Sequence, residues 1–208
     1  MATAAPEPTQ EDWRSGIRGS RRNQLLVLLV TALLVAGGAW LLGGRTGSGR
    51  SATAGGQSVT VTGDRSGPAP EVGKAPQDFT ATTVTGERVS LASLKGKPVW
   101  LTFGASWCTA CRAEAPDLEA AYQAAKGQGL QVVAVNLQEK PADVLAYAGR
   151  VGLTYPQVAD PETALASRFR IAGLPTHFFV DKDGVLRKIH VGGLTRAGMG
   201  EQIAAITR

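Results

Sequence analysis

The chain has 208 residues, 43% hydrophobic and 19% charged, so it can bury a core and is not disordered along its whole length. Two cysteines exclude a disulfide-rich scaffold, a four-thiolate iron–sulfur cluster and a four-cysteine zinc site. The net charge of +5 divides into +3 over residues 1–70 and +2 over residues 71–208, with no basic run in the larger part, so nucleic acid is not an expected partner.

Residues 1–24 read as a short cytoplasmic tail. Residues 25–42, LLVLLVTALLVAGGAWLL, carry no charge. As a helix they span ~27 Å, close to the ~30 Å apolar core of a bilayer. Arg14, Arg18, Arg21 and Arg22 precede the stretch, while only Arg45 and Arg50 follow closely. That asymmetry keeps the amino terminus in the cytoplasm and puts the rest outside. The expectation is a single-pass signal-anchor in the cell (inner) membrane, with the bulk of the chain on the extracytoplasmic, periplasmic side. A cleaved signal peptide, with Gly37-Gly38-Ala39 as its small-residue site, is the alternative and exports the same remainder. Residues 43–70 hold eight Gly, eight Ser/Thr and two Pro, the composition of a flexible tether.

From residue 71 the pattern is globular. Residues 79–84 and 87–91 flank Thr85-Gly86 and read as a hairpin. Residues 98–103 form a short buried-type strand, followed by a helix over about 108–126 whose Leu118, Ala121, Tyr122 and Ala125 make one apolar stripe. A second buried strand covers 130–137, a helix opening on proline covers 141–151, and a short helix covers 163–170. Residues 176–180 and 185–191 are strands joined by Asp181-Lys182-Asp183-Gly184, and a last helix runs over about 195–206. The order predicts an α/β domain with a mixed sheet covered on both faces.

Chemistry concentrates at Trp107-Cys108-Thr109-Ala110-Cys111, where a buried strand meets a helix. The thiolate is the reactive form, and the partial positive charge of a helix amino terminus stabilises it on Cys108. Cys111, three residues on, is within reach to resolve a mixed disulfide. A structural disulfide across two residues closes too small a loop to restrain the unfolded chain much. Half a zinc site lacks partners, since the two histidines, His177 and His190, stand thirteen apart without finger-like spacing. A peroxide-reducing cysteine expects Pro seven residues and Thr or Ser three residues before it, where this chain has Leu101 and Ala105. The spacing in this context points to a redox-active dithiol.

Trp107-Cys108-x-x-Cys111 after a buried strand, Pro116, and Leu174-Pro175-Thr176 before a strand resemble the thioredoxin superfamily. Cys108-x-x-Cys111-Arg112-x-Glu114-x-Pro116, together with Gly73-Lys74-Ala75-Pro76 and Leu94-Lys95-Gly96-Lys97-Pro98, is similar to its membrane-anchored TlpA/ResA branch of thiol–disulfide oxidoreductases. The resemblance covers residues 71–208. It implies a thioredoxin-like fold, a central mixed sheet flanked by helices with an N-terminal β-hairpin extension, behind the single N-terminal transmembrane helix. It further implies Cys108 as nucleophile, Cys111 as resolving thiol and Pro175 as a cis-proline facing the disulfide, with Leu174 and Thr176 beside it for an extended substrate segment. Trp107 would shield the thiols and meet substrate, or be an ordinary packed aromatic.

Glu114 matches an acidic residue of that branch, and a partly buried carboxylate there could relay a proton to or from Cys111. Thr102 replaces the buried acid that thioredoxins carry six residues before the first cysteine, which leaves Glu114 as the nearby candidate. The plainer reading of Glu114 is a solvated helix residue. No bound cofactor is implied. The implied partners are thiols and disulfides of exported proteins, for example apocytochrome c or copper-site proteins, and a DsbD/CcdA-like membrane thiol donor. Thr109-Ala110 lacks the residues that push such a couple toward strong oxidation, which favours the reducing direction. A competing hypothesis is a copper-binding assembly factor using Cys108, Cys111 and His177; for His177 the alternative is a hydrogen-bonded strand histidine.

Overall fold

The computed structural model describes residues 25, 26, 28–34 and 67–208. The chain divides into two units, residues 1–53 and 54–208. In the first, the described residues are helical and exposed. Among the described residues no helix is long and apolar enough to cross a membrane. Half of the expected 25–42 span and nearly all of the 43–70 tether lie outside the described residues.

The second unit is a five-stranded mixed sheet with helices on both faces. Strands β1 (Thr80–Thr82) and β2 (Arg88–Ser90) pair antiparallel as a separate hairpin. Its turn needs Gly86, whose φ of 92° is costly for any residue with a Cβ. The central sheet has the order β5-β4-β3-β6-β7, with β3 (Val99–Gly104), β4 (Gln131–Leu137), β5 (Gln157–Asp160), β6 (Thr176–Val180) and β7 (Leu186–Val191). Strands β3, β4 and β5 run parallel, whereas β6 and β7 are antiparallel to their neighbours. Among its described residues the α-helices are α1 (Thr109–Ala125), α2 (Pro141–Val151), α3 (Ala164–Arg168) and α4 (Arg196–Thr207).

These bounds follow the sequence pattern closely, with one omission. Strand β5 escapes the pattern because it is four residues long, Gln157-Val158-Ala159-Asp160, between Pro156 and Pro161. So short a run shows no alternation to read. It is nonetheless fully buried and pairs with β4 through Val135↔Val158 and its neighbours.

Alternate residues of each strand enter different layers. Val99, Leu101 and Phe103 of β3 join Val133 and Val135 of β4, Phe178 and Val180 of β6, and Leu165 and Phe169 at α3 in one apolar cluster. Trp100, Val132, Ala134 and Phe179 point the other way and pack with Leu118 and Ala125 of α1 and with Met199, Ile203 and Ile206 of α4. The predicted stripe on α1 is therefore its buried face, with Ala121 and Tyr122 partly covered. Pro116 lies inside α1, where it has no N–H for the carbonyl four residues back.

Candidate active site

Strand β3 delivers the chain to the amino terminus of α1, and Cys108 is the residue that caps it. Its backbone is extended, φ −80° and ψ 115°, so the side chain folds back over the first turn. There Cys108 Sγ accepts the backbone N–H of Cys111 at 3.2 Å. The two cysteines form a disulfide, with Cα atoms 5.2 Å apart. Both are nearly buried, 8% and 9% exposed. Gly104 ends β3 against this pair, where a Cβ would stand in ordinary contact 3.4 Å from Cys111 Sγ.

The loop between β3 and α1 is fastened from the carboxyl end of β4. Glu139, buried, accepts the backbone N–H of Ser106 at 2.8 Å and also the Ser106 hydroxyl. Trp107 donates its indole N–H to the Leu137 carbonyl at 3.2 Å, and Arg112 donates to the Ser106 carbonyl at 3.1 Å. Trp107 is thus held by its polar edge while 53% of its surface stays exposed beside Cys108. It is not a packed core aromatic.

On the opposite side the Leu174–Pro175 peptide is cis. Leu174 packs against Ala105, Cys108 and Cys111, and Pro175 lines a cavity together with Cys111. The Pro175 carbonyl accepts the Gly192 N–H at 2.8 Å. Thr176 is 3% exposed and its hydroxyl donates to the Gly173 carbonyl at 2.7 Å, so its side chain braces the proline loop.

The cavity behind the disulfide measures about 40 Å³ and is lined by Thr102, Cys111, Glu114, Tyr147, Tyr155 and Pro175 among others. That is room for a water or two. Glu114 is 7% exposed, which sets aside the solvated reading. Its Oε2 accepts the backbone N–H of Leu194 at 3.0 Å, and its Oε1 stands 3.4 Å from His177 Nε2. Burial pushes the phenols of Tyr147 and Tyr155 above their ordinary range, so both line the cavity as neutral groups.

His177 is fully buried. Its Nδ1 receives the Trp100 indole N–H at 3.2 Å and lies 3.0 Å from Thr102 Oγ1. The strand-histidine reading describes it. The ring presents Nε2 to Glu114, and among the described residues no three His, Cys, Asp or Glu side chains gather as a metal cluster. The ligand set of Cys108, Cys111 and His177 that a copper factor would use is therefore not assembled.

Sequence reasoning missed Glu139 and the Trp100–His177–Thr102 contact. Glu139 carried one usable signal: it lies two residues beyond a buried parallel strand, at the carboxyl end where sites form in α/β sheets. Nothing local in the sequence marks the Trp100–His177 pair, whose members are 77 residues apart.

Residues 72–189 match the AhpC/TSA family. The thiol–disulfide oxidoreductase ResA of Geobacillus kaustophilus is 33% identical over 135 residues, covering 65% of this chain and 78% of the relative. Among solved structures, a Chlorobium tepidum protein assigned as the thiol:disulfide interchange protein DsbE superposes with TM-score 0.63 at 31% identity. The match covers 67% of this chain and all of that one. StoA from Bacillus subtilis superposes with TM-score 0.54 at 29% identity, over 61% of this chain and 96% of its own.

Proposed function

The chain belongs to the AhpC/TSA family and, within the thioredoxin superfamily, is a TlpA/ResA-like thiol–disulfide oxidoreductase, and we propose that it reduces disulfides of specific exported proteins outside the cytoplasm. The observation that carries the direction of attack is the N–H of Cys111 donating to Cys108 Sγ at the helix cap. A donor and a helix amino terminus at one sulfur favour its thiolate. Cys108 is the nucleophile and Cys111 resolves.

In the reduced enzyme the Cys108 thiolate attacks one sulfur of a substrate disulfide. A mixed disulfide forms and one substrate thiolate leaves. The Cys111 thiol then gives its proton to the Glu114 carboxylate and attacks Cys108 Sγ, so the second substrate thiolate leaves and the Cys108–Cys111 bridge closes. Two electrons pass to the substrate, and its thiolates take up two protons from Glu114 and solvent. A membrane dithiol donor of the DsbD/CcdA kind restores the cysteines. The dithiol carries the electrons itself, so no bound cofactor is required.

Trp107 and Leu174 flank the sulfurs, one exposed and one half-buried, and an extended substrate segment lies between them against the backbone of Leu174. Ala105 packs on Cys108 where a peroxide site needs a hydroxyl, which favours disulfides over peroxides as substrate. Residues 25–42 anchor the protein, residues 43–70 tether it and residues 71–208 carry the chemistry. Apocytochrome c and copper-site proteins are the substrate classes that such a tethered reductant serves.

Cys111→Ser in the full-length chain tests the assignment. It should leave Cys108 covalently attached to its substrate, for capture and identification. If Cys108→Ser traps the adduct and Cys111→Ser does not, the roles are reversed. A reduction potential near that of strong oxidants would overturn the direction while sparing the enzyme class.

A further inference from the structure

The proton step above uses Glu114 but not the imidazole facing it, which is fully buried and has one ring nitrogen without a hydrogen bond of ordinary geometry. We propose that His177 is a positioning residue for the exchange: an Nε2–H tautomer, fixed by Trp100, holds the Glu114 carboxylate in its charged, proton-accepting form behind Cys111. This rests on Glu114 taking the Cys111 proton.

The tautomer follows from the partners. An indole N–H can only donate. It is directed at His177 Nδ1, at 3.2 Å, so Nδ1 carries a lone pair and the ring proton of the neutral imidazole sits on Nε2. Thr102, paired with His177 across the β3–β6 ladder, adds its hydroxyl at the same nitrogen. The ring cannot turn freely, because Trp100 packs edge-on at 5.7 Å and Phe179 lies at 6.3 Å between centroids. The groups that face it are Trp100 and Thr102 from β3, Glu114 from α1, and His190 from β7 at 6.0 Å between ring centroids.

Glu114 then has one hydrogen-bond donor, the Leu194 N–H on Oε2 at 3.0 Å, and faces a second N–H, on Nε2, 3.4 Å from Oε1. A carboxylate is a better acceptor than a carboxylic acid, so the second contact strengthens when Glu114 is charged and weakens when it holds the Cys111 proton. A buried N–H left without a partner carries its full desolvation cost, which biases the pair toward the carboxylate. His177 gains and loses no proton in the cycle. It makes Glu114 ready to accept one and quick to return it.

The test is the pH profile of the resolving step, read by single turnover from a mixed disulfide on the full-length protein. His177→Leu should move the acid limb to higher pH by about one unit, roughly a tenfold loss of rate at a fixed pH on that limb. His177→Gln, which keeps an N–H donor, should restore most of it. Glu114→Gln should abolish the limb, and adding His177→Gln to it should change nothing more. A limb that stays in place in both His177 variants but vanishes in Glu114→Gln overturns the proposal and leaves the Glu114 step intact. A limb that survives Glu114→Gln removes the step on which the proposal rests. Should His177→Leu fail to fold, nitrogen-15 shifts of His177 in the wild-type protein decide: a protonated Nε2 is expected, and a protonated Nδ1 overturns it.

Discussion

On one face of the central sheet β3 shows Val99, Leu101 and Phe103, and β6 shows Phe178 and Val180, all in a single apolar cluster. On the other face the next residues of the same strands are Trp100 and Thr102, and His177 and Phe179. Strand β4 follows suit, with Val133 and Val135 on the first face and Ala134 and Asn136 on the second. Toward the cysteine end the second face exchanges carbon for polar groups, and most of these are hydrogen-bonded, His177 Nε2 excepted. Thr102 and Trp100 meet His177 Nδ1, and Asn136 donates to Gln157 Oε1 at 3.0 Å. Unpaired, such groups would cost several kcal/mol each. The difference teaches that both faces bury apolar residues, but only the second gives part of its area to a polar niche under α1, where an acid can sit near the resolving sulfur.

Substitutions can break that contrast. The largest effect is expected from Phe103→Ala on the apolar face, which packs against Phe169 and Phe178. It should lower stability by about 3–5 kcal/mol, measured as the urea midpoint at unchanged slope. It should leave the pH profile of the resolving step in place; a shifted profile would mean that the two faces are not separable.

Glu139→Ala comes next, at the margin of the polar niche. It removes the acceptor for two Ser106 donors and should cost about 1–3 kcal/mol. Part of that loss should appear in kcat/KM with a disulfide substrate, because the loop carries Trp107 and leads into Cys108. Unchanged kcat/KM with lowered stability would make the fastening purely structural.

The smallest effect distinguishes the elements covering the two faces by the sign of their pH dependence. On α1, Glu119 accepts the N–H and hydroxyl of Thr154. Burial raises its pKa, but those bonds, Gln123 and Lys126 outweigh it and hold the carboxyl below 4.5. Its contribution is present above that value and lost as pH falls through the folded-state value. Asp160 caps α3 on the apolar face through the N–H groups of Ala164 and Ala166. There burial wins over these bonds and raises the carboxyl above 3.8, so its contribution is full below that value and lost as pH rises through the folded-state value. Urea midpoints at about pH 3 and about pH 7 should show Glu119→Gln more costly at the higher pH and Asp160→Asn more costly at the lower. The same sign for both would refute the contrast.

Much of this was legible in the chain. The buried-strand run before Trp107-Cys108 and the stripe of Leu118 and Ala125 are local patterns, and the structure follows them nearly residue for residue. Glu114 was legible as a partly buried candidate, but its hydrogen-bond partner was not. That donor is the Leu194 N–H, 80 residues away, and no local pattern announces such a partner. Glu139 was missed for the same reason. It lies outside any regular element and acquires meaning only when β4 lies beside β3, which brings it to Ser106, 33 residues earlier.

Scarcity of cysteine is informative from the sequence alone: both thiols of the chain sit in one four-residue segment at a strand-to-helix junction. Capping, helix polarity and the reach between Cys108 and Cys111 all act within one turn, so composition and spacing suffice to specify them. Only the tertiary structure decided what stands behind the sulfurs. The antiparallel register of β3 and β6 sets Thr102 opposite His177 and turns the imidazole toward α1. A slip of one residue in that ladder would send His177 into the apolar cluster and a phenylalanine toward Glu114. Register is fixed by burial across the whole sheet, and so the partner of Glu114 is a property of the fold and not of any segment within it.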